Sequence, residues 1–308
     1  MRLVLTFFLL FLVSCNENRG EYVSVIKVGY IPIADCGQLF LADRHGYFEQ
    51  EGIKVELVKQ AGGATILPAL AADHVQVGFS NIASVILACS ADLPIQPIAG
   101  GPVTDRASVE GGILSLKSGE VNGLADLTGR KVAVNTTKNI VHLFVSELLT
   151  KNGVDVSGVE FIGMPFPEMY PALLAGSVDA IASIEPFVTF AEEEGKVRNL
   201  GDYFTGTMER VQISTYNVLE GGPLSARQVA SFRRAIARAT EIAKKDRKEL
   251  VAAIAAYTSL DIDQVSRVGL PTYDSSLHEE SISEVSRLLL ERKWIKKAFN
   301  PSQIMDWE

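Results

Sequence analysis

The sequence predicts an α/β protein of two lobes, each a mostly parallel sheet flanked by helices. Short β-branched runs alternate with amphipathic helical runs, and this pattern occurs twice, on either side of roughly residues 100 to 110. Long amphipathic helices follow residue 217, and such helices need a sheet to cover. The 308 residues, 47% of them apolar, are enough for two cores of medium size.

In the first half of the chain, strands and helices alternate with short connections. The predicted strands cover residues 23–30, 54–58 and 75–79, and the predicted helices cover 37–45, 64–72 and 82–90. Short connections between alternating elements are typical of a parallel or mixed sheet with helices on both faces. This half therefore predicts one complete α/β unit.

The same alternation returns after residue 111. The predicted strands cover 112–116, 131–135, 159–164, 178–183 and 211–216, and the predicted helices cover 139–152, 168–175 and 186–194. Several of these helices end at a glycine, as is usual for a helix C-terminus. The second unit therefore has helices of its own.

After residue 217, the sequence predicts helices and no further strands. The helices cover 225–244, 247–260, 261–268 and 281–295, and the first carries Val229, Phe232 and Ile236 on one face. Because the second unit already has helices, we expect these to pack on the first. The predicted first lobe then combines 24–103 with 217–308, and the second lobe covers 104–216. The chain would cross between the lobes near 99–104 and 211–217.

The N-terminus has the features of an export signal. Arg2 precedes the apolar segment 3–13, which is too short to cross a bilayer as a helix. Leu12-Val13-Ser14-Cys15 resembles the bacterial lipobox, in which cleavage leaves a lipid-modified cysteine. We therefore predict a signal peptide over 1–14, a tether over 15–23, and an extracytoplasmic protein anchored by lipid at Cys15. The alternative is an ordinary secretory signal with an incidental cysteine.

Charge and cysteine content exclude several classes of protein. The chain has 29 basic and 37 acidic residues, a net charge of −8, which opposes binding to nucleic acid. A small anion could still bind at helix N-termini whatever the net charge. The three cysteines include no C-x-x-C pair, so neither a disulfide scaffold nor a zinc knuckle is expected.

Several segments resemble, in order and spacing, a family of extracytoplasmic solute-binding proteins of bacterial ABC importers, the group that binds nitrate, sulfonates, taurine and pyrimidine precursors of thiamine. These segments cover residues 28–30, 41–42, 46–48, 52–58, 124–134, 172–180 and 185–187. The resemblance implies the two-lobed type II periplasmic-binding-protein-like fold, with a two-strand hinge and a cleft that closes on a solute. It also implies a membrane permease and its ATPase subunits as partners, no cofactor, and a monomeric protein.

In open α/β sheets, ligands lie beyond the carboxyl ends of the strands. The residues that follow the predicted strands are therefore the candidate solute ligands. They are Asp35, Cys36, Gly37, Gln38, Ser80, Asn81, Asn135, Thr136, Thr137, Met164, Glu185, Phe187 and Tyr216.

Two of these segments carry specific hypotheses. The run 135–138 is predicted to open a helix, where Thr136, Thr137 and free backbone N–H groups would cradle an oxyanion. Glu185 would accept from an amino group on the solute, or would only favour the dipole of the helix that follows. An ionised Glu185 would repel a bare sulfonate or nitrate, so this residue discriminates between solutes.

The candidate residues favour a small polar or anionic organic solute of the sulfonate, nitrate or taurine type. A pyrimidine or another heterocycle is the alternative, and it would require aromatic side chains to converge on the cleft. The candidates for that role are Tyr30, Phe79, Phe187 and Tyr216, with Phe166 also expected near the cleft.

The sequence predicts a protein that is not an enzyme. It contains no Walker A, H-E-x-x-H or G-x-S-x-G motif and no dinucleotide fingerprint, and its four histidines are scattered. Pyrimidine synthases share the two-lobed fold, but they are cytoplasmic, whereas this chain has an export signal. An enzyme and a sensory binding lipoprotein remain alternatives.

Overall fold

The computed structural model describes residues 25–60, 62–106, 108 and 110–305. The predicted signal peptide, the tether and Cys15 lie outside these residues. The strands are β1 (Ile26–Tyr30), β2 (Val55–Lys59), β3 (Val77–Asn81), β4 (Ile95–Gly100), β5 (Pro102–Asp105), β6 (Gly111–Leu116), β7 (Lys131–Val134), β8 (Glu160–Gly163), β9 (Ala180–Ile184), β10 (Val197–Asn199), β11 (Arg210–Gln212), β12 (Ser214–Leu219) and β13 (Thr272–Tyr273).

The helices alternate with the strands in the first two thirds of the chain and then follow one another. They are α1 (Gly37–Arg44), α2 (Tyr47–Gln50), α3 (Gly63–Ala71), α4 (Ile82–Ser90), α5 (Ile140–Lys151), α6 (Phe166–Leu174), α7 (Phe187–Glu193), α8 (Ala226–Lys245), α9 (Arg247–Tyr257), α10 (Ile262–Arg267), α11 (Glu279–Glu291) and α12 (Ser302–Met305). Among the described residues, none of these helices is long and apolar enough to cross a membrane.

The first sheet has the strand order β2-β1-β3-β12-β4. Strands β1, β2 and β3 are parallel, with Val28 opposite Leu57 on one side and Val77 on the other. Strand β12, which comes from much later in the chain, is inserted antiparallel between β3 and β4. The chain therefore leaves this sheet after β4 and returns to it at β12.

The second sheet has the order β10-β6-β9-β7-β8. Strands β7, β8 and β9 are parallel, while β6 and β10 run antiparallel to their neighbours. Both sheets are thus mixed, as expected for α/β units whose connections are helices. Because parallel strands end at the same edge, each sheet gathers the loops that follow its parallel strands at one edge.

A small third sheet joins the two larger ones. It has the order β11-β5-β13, and both pairings are antiparallel. Strand β5 leads from the first sheet to the second, and β11 leads back to β12. Strand β13 had no counterpart in the sequence analysis, because its two residues are too few to show a period.

The C-terminal helices cover faces of the first sheet and also reach the second. Helices α8 and α9 pack on α1, and α8 also packs on α2, where Phe232 stacks on Phe48 at 5.3 Å between ring centroids. Helix α11 packs against α4 and also against α5. Just after α11, the Arg292 guanidinium donates to Glu147 Oε1 on α5 at 2.6 Å.

Candidate functional site

A narrow cavity lies where the loop ends of the two larger sheets face each other. Its volume is about 40 Å³. The cavity meets the ends of β1, β3, β7 and β9 and the start of β12. Its lining consists of Ile31, Ile33, Asp35, Phe79, Ser80, Asn81, Asn135, Asn139, Ile140, Val141, Phe166, Ile184, Phe204, Ile213 and Ser214.

On the side of the first sheet, the cavity meets the start of α4. The Asn81 side chain accepts from the Ser84 N–H at 2.9 Å and so caps this helix. Ser80 precedes it on β3, is 1% exposed, and its Oγ has no hydrogen-bond partner. An unpartnered buried hydroxyl beside a cavity is available to a bound solute.

On the side of the second sheet, the cavity meets the start of α5. Asn139 Oδ1 accepts from the His142 N–H at 3.0 Å and caps the helix. Its Nδ2 donates to Asn135 Oδ1 at 2.6 Å. Two amide side chains that line the cavity are therefore fixed to each other.

The run 135–138 was expected to open a helix and cradle an oxyanion there, and the expected helix start is wrong. Because Asn139 supplies the cap, α5 begins at Ile140, and the run 135–138 forms a loop ahead of it. The Thr136 hydroxyl donates to the Asn135 carbonyl at 2.8 Å, and Thr137 is exposed. Neither threonine lines the cavity. The free N–H groups of α5 lie instead beside Asn139.

The loop after β1 brings one of its four candidates to the cavity, namely Asp35. Cys36 is buried in the core of the first sheet. A Cβ at Gly37 would lie 2.5 Å from Tyr273 Oη, so this glycine permits close packing of the protein against itself. Gln38 is fully buried and its Nε2 donates to Thr240 Oγ1 on α8 at 2.6 Å. The short 3-10 turn Ala34–Cys36 leads the chain away from the cavity.

Four further candidates lie behind the lining. Glu185 accepts from the Thr189 hydroxyl at 2.7 Å and from the Thr189 N–H at 3.1 Å. Phe187 stacks on the cavity-lining Phe166 at 6.0 Å. Met164 packs against the core of the second sheet, and Tyr216 is fully buried in the core of the first.

Two of the five aromatic candidates reach the cavity. Phe79 and Phe166 line it, as does Phe204, which precedes β11 and was not predicted. Tyr30 instead meets Phe40 edge to face at 5.5 Å in the first core. Sequence analysis also missed the apolar lining residues, because a buried isoleucine next to a strand has the same pattern in a core and in a cleft wall.

Buried carboxyl groups are the main electrostatic feature near the cavity. Asp35 is 3% exposed, and burial raises the pKa of its carboxyl to about 7. Glu110, just before β6, is 1% exposed, and burial together with the charge of Asp35 raises its pKa well above the ordinary value. Burial also raises the pKa of Glu185, although its bonds to Thr189 oppose this shift. The described residues form no group of three acidic, His or Cys side chains that could hold a metal ion.

Glu110 was not among the predicted site residues. It lies within Glu110-Gly111-Gly112, ahead of an apolar strand, where a single carboxyl carries no periodic signal. Neither Oε1 nor Oε2 has a hydrogen-bond partner. The missing partner is a property of the folded chain, so the sequence contains no signal that would have identified this residue.

Replacing Asn139 by alanine should lower the free energy of unfolding by about 2 kcal/mol. The variant loses the cap of α5 and leaves Asn135 Oδ1 without its donor. Urea unfolding followed by circular dichroism measures this difference. Thr137→Ala, an exposed change in the same loop, is the control and should stay within about 0.5 kcal/mol of the wild type. Equal stability of both variants would show that Asn139 does not anchor this side of the cavity.

Comparison with solved structures supports the fold. The periplasmic aliphatic sulphonate binding protein SsuA from Escherichia coli superimposes with a TM-score of 0.74 at 19% identity, covering 91% of this chain and 97% of that one. The ligand-binding component of an ABC-type import system from Staphylococcus aureus has a TM-score of 0.79 at 17% identity, covering 92% and 96%. The chain therefore has the two-lobed periplasmic-binding-protein fold, with mixed sheets flanked by helices.

Sequence relatives have the names of binding proteins and of thiamine-related proteins. A Brachyspira hyodysenteriae protein named as an ABC transporter periplasmic binding protein is 31% identical over 199 residues, 60% of this chain and 57% of the relative. A formylaminopyrimidine-binding protein of Halalkalibacterium halodurans is 26% identical, covering 56% and 52%. The taurine-binding periplasmic protein of Escherichia coli is 24% identical, also covering 56% and 52%.

The match to these relatives is partial. The chain spans between half and three fifths of the length of these three proteins. A further relative from Schizosaccharomyces pombe, 25% identical over 48% of this chain and 40% of its own length, is named 4-amino-5-hydroxymethyl-2-methylpyrimidine phosphate synthase. The sequence profile described as NMT1/THI5 like matches residues 34–250, more than two thirds of the chain. The chain belongs to the NMT1/THI5-like family.

Proposed function

We propose that this protein is the solute-binding component of an ABC importer. The observation that carries the proposal is a cavity whose lining comes from both large sheets, which are joined by the small sheet of β5, β11 and β13. A solute that contacts both sides favours the arrangement in which the lobes are together. A membrane permease then recognises the closed form and receives the solute, while its ATPase subunits supply the energy.

The solute that we propose is small, polar or anionic, of the sulfonate, nitrate or taurine type. The cavity of about 40 Å³ is smaller than taurine, so binding of such a solute requires the lobes to move apart first. The N-termini of α4 and α5 both meet the cavity, at Asn81 and Asn139, and helix N-termini favour anionic groups. The names of the taurine-binding and sulphonate-binding proteins support the same class.

A pyrimidine precursor is the second candidate. Phe79, Phe166 and Phe204 give the cavity an aromatic wall on which a flat ring could pack. The name of the formylaminopyrimidine-binding relative supports this candidate. Like taurine, a ring of this size needs the lobes farther apart than in this structure.

We further propose that the protein is not an enzyme and acts outside the cytoplasm, as a monomer with lipid at Cys15. None of the described histidines lines the cavity, so no imidazole is available there for acid–base chemistry. The names of the binding-protein relatives support an extracytoplasmic location. A sensory role would use the same binding step, with a membrane receptor in place of the permease.

A thermal-shift screen of the purified chain tests this function. Sulfonates, nitrate, taurine and pyrimidines are added separately, and the product mixture is then checked by NMR. A bound solute should stabilise the fold by about 2.7 kcal/mol at a hundredfold excess over Kd, and it should be recovered unchanged. If no compound stabilises the protein, or if a compound is converted to product, the proposal fails.

A further inference from the structure

We infer that Asp35 and Glu110 form a subsite for an amino or ammonium group of the solute. The inference rests on the proposed function and narrows its solute class. The solute would then combine a hydrogen-bond-donating nitrogen with whichever group meets the helix N-termini. An aminosulfonate and an aminopyrimidine both satisfy this description, whereas a bare oxyanion does not.

The first reason is that both carboxyl groups lack a compensating charge. They are 3% and 1% exposed, and both oxygens of Glu110 have no hydrogen-bond partner. Of the fifteen described residues that line the cavity, none is Lys, Arg or His. A buried carboxyl is usually paired with a cation or accepts several hydrogen bonds. Here the described part of the protein supplies neither to Glu110.

The second reason is the position of the pair. Asp35 lines the cavity, and Glu110 precedes Gly111, which pairs with the cavity-lining Ile184. The Glu110 carbonyl accepts from the Glu185 N–H at 2.9 Å, and the charge of Asp35 contributes to the raised pKa of the Glu110 carboxyl. The unpartnered Oγ of Ser80 lines the same cavity. Two carboxyl groups and one hydroxyl therefore lie at or next to one small space, and the described residues supply no donor to Glu110 or to the Ser80 hydroxyl.

The third reason is that neighbouring donors already have other partners. Burial raises the pKa values of the Tyr203 and Tyr273 hydroxyls, and the nearby charges of Asp35 and Glu110 raise them further. The Tyr203 hydroxyl, however, donates to the Ser183 carbonyl at 2.9 Å, and the Tyr273 hydroxyl donates to the Ala34 carbonyl at 2.6 Å. The donor for the carboxyl pair must therefore come from outside these side chains.

Other charged groups near the pair are acidic as well. Asp202, Glu185 and Asp105 each add to the negative potential at Glu110. Asp202 accepts from the Gly111 N–H at 2.9 Å, Glu185 accepts from Thr189, and Asp105 accepts from the Ser108 hydroxyl at 3.1 Å, so all three have donors of their own. These acidic neighbours favour a solute with positive charge or N–H donors at that end, and such a group would in turn favour the ionised form of the carboxyl pair.

Matched pairs of solutes test the subsite by isothermal titration calorimetry on the full chain. Taurine is compared with isethionate, in which a hydroxyl replaces the amino group, and 4-aminopyrimidine is compared with 4-methylpyrimidine, which has no N–H donor. We expect the amino member of the pair that binds to be about 10- to 100-fold tighter than its analogue. The pair that binds shows whether the solute is an aminosulfonate or an aminopyrimidine.

Variants assign this preference to the carboxyl pair. Glu110→Gln and Asp35→Asn should each reduce the preference for the amino compound by about tenfold or more. Glu56→Gln, an exposed change on β2, is the control and should keep the full preference. Circular dichroism establishes that each variant is folded, and either carboxyl variant alone is sufficient for the test.

The outcomes separate the two proposals. If each amino compound and its analogue bind with equal affinity, the subsite is overturned and the importer role stays intact. The same holds if the preference for the amino compound is unchanged in both carboxyl variants. Tightest binding of a solute without any nitrogen donor also overturns the subsite. If no solute binds at all, the proposed function itself fails.

Discussion

Gly100→Ala is expected to lower the free energy of unfolding by about 3 kcal/mol. Gly100 ends β4, and a Cβ there would lie 2.1 Å from the Ser276 carbonyl oxygen and 2.4 Å from the Asp274 carbonyl oxygen. These are backbone atoms, and the Gly100 N–H already donates to the Ser275 carbonyl at 2.9 Å. The segment cannot move without breaking this bond. Urea unfolding of the variant and the wild type measures the loss.

Gly123→Ala is the matched control for this change. Its added Cβ would meet no atom within 4 Å, and its φ of −155° is accessible to alanine. Its free energy of unfolding should stay within about 0.5 kcal/mol of the wild type. If both glycine variants were equally stable, the close approach of β4 to residues 274–276 would be wrong, and with it the geometry around the small third sheet.

Stability should fall as the pH rises from about 4 to about 7, owing to Asp35. Its carboxyl has a pKa of about 7 in the folded protein, whereas in the unfolded chain it titrates near its ordinary value of 3.8. In this interval the folded state therefore holds a proton that the unfolded state has lost, and raising the pH favours unfolding. The loss from this one group is on the order of 4 kcal/mol. The raised pKa of Glu110 acts in the same direction.

Asp35→Asn removes this contribution and isolates it from other titrating groups. The free energy of unfolding is measured in urea at pH 4.5 and at pH 8. The wild type should lose several kcal/mol more between these two pH values than Asp35→Asn does. Glu56→Gln, with its side chain in solvent, should follow the wild-type change. If the stability of Asp35→Asn had the same pH dependence as that of the wild type, the Asp35 carboxyl would have a partner that compensates for its burial.

The alternating pattern of strands and helices was predictable because it is local. Apolar periodicity located most elements, and the cap-type residues Asn81 and Asn139 lie where α4 and α5 begin. The strand β13 was not predictable, because two residues carry no period and its pairing with β5 depends on contacts over more than 160 positions. Elements that local sequence determines were therefore predictable, whereas an element that depends on residues far away in the sequence was not.

The site shows the same division. The rule that ligands meet the ends of strands located the loops, and Asp35, Ser80, Asn81 and Asn135 lie at the cavity. The rule could not say which way each side chain points. Gln38 turns toward Thr240, a partner far away in the sequence, and Glu185 turns toward Thr189, which the next helix places within reach of its carboxyl.

Glu110 illustrates why a functional residue can escape a reading of sequence alone. Its significance lies in what surrounds it, namely buried acidic neighbours and no donor to either oxygen. Burial and missing partners are properties of the folded chain. A lone glutamate before two glycines has no distinguishing pattern in one sequence.

The central claim is that a solute binds between the two large sheets, and a crystal structure of the protein with the solute selected by the thermal-shift screen tests it most directly. We predict electron density for one solute per chain in the cavity, in contact with Ser80 from the first sheet and Asn139 at the start of α5. Density at another place, or in contact with only one of the two sheets, would contradict the claim.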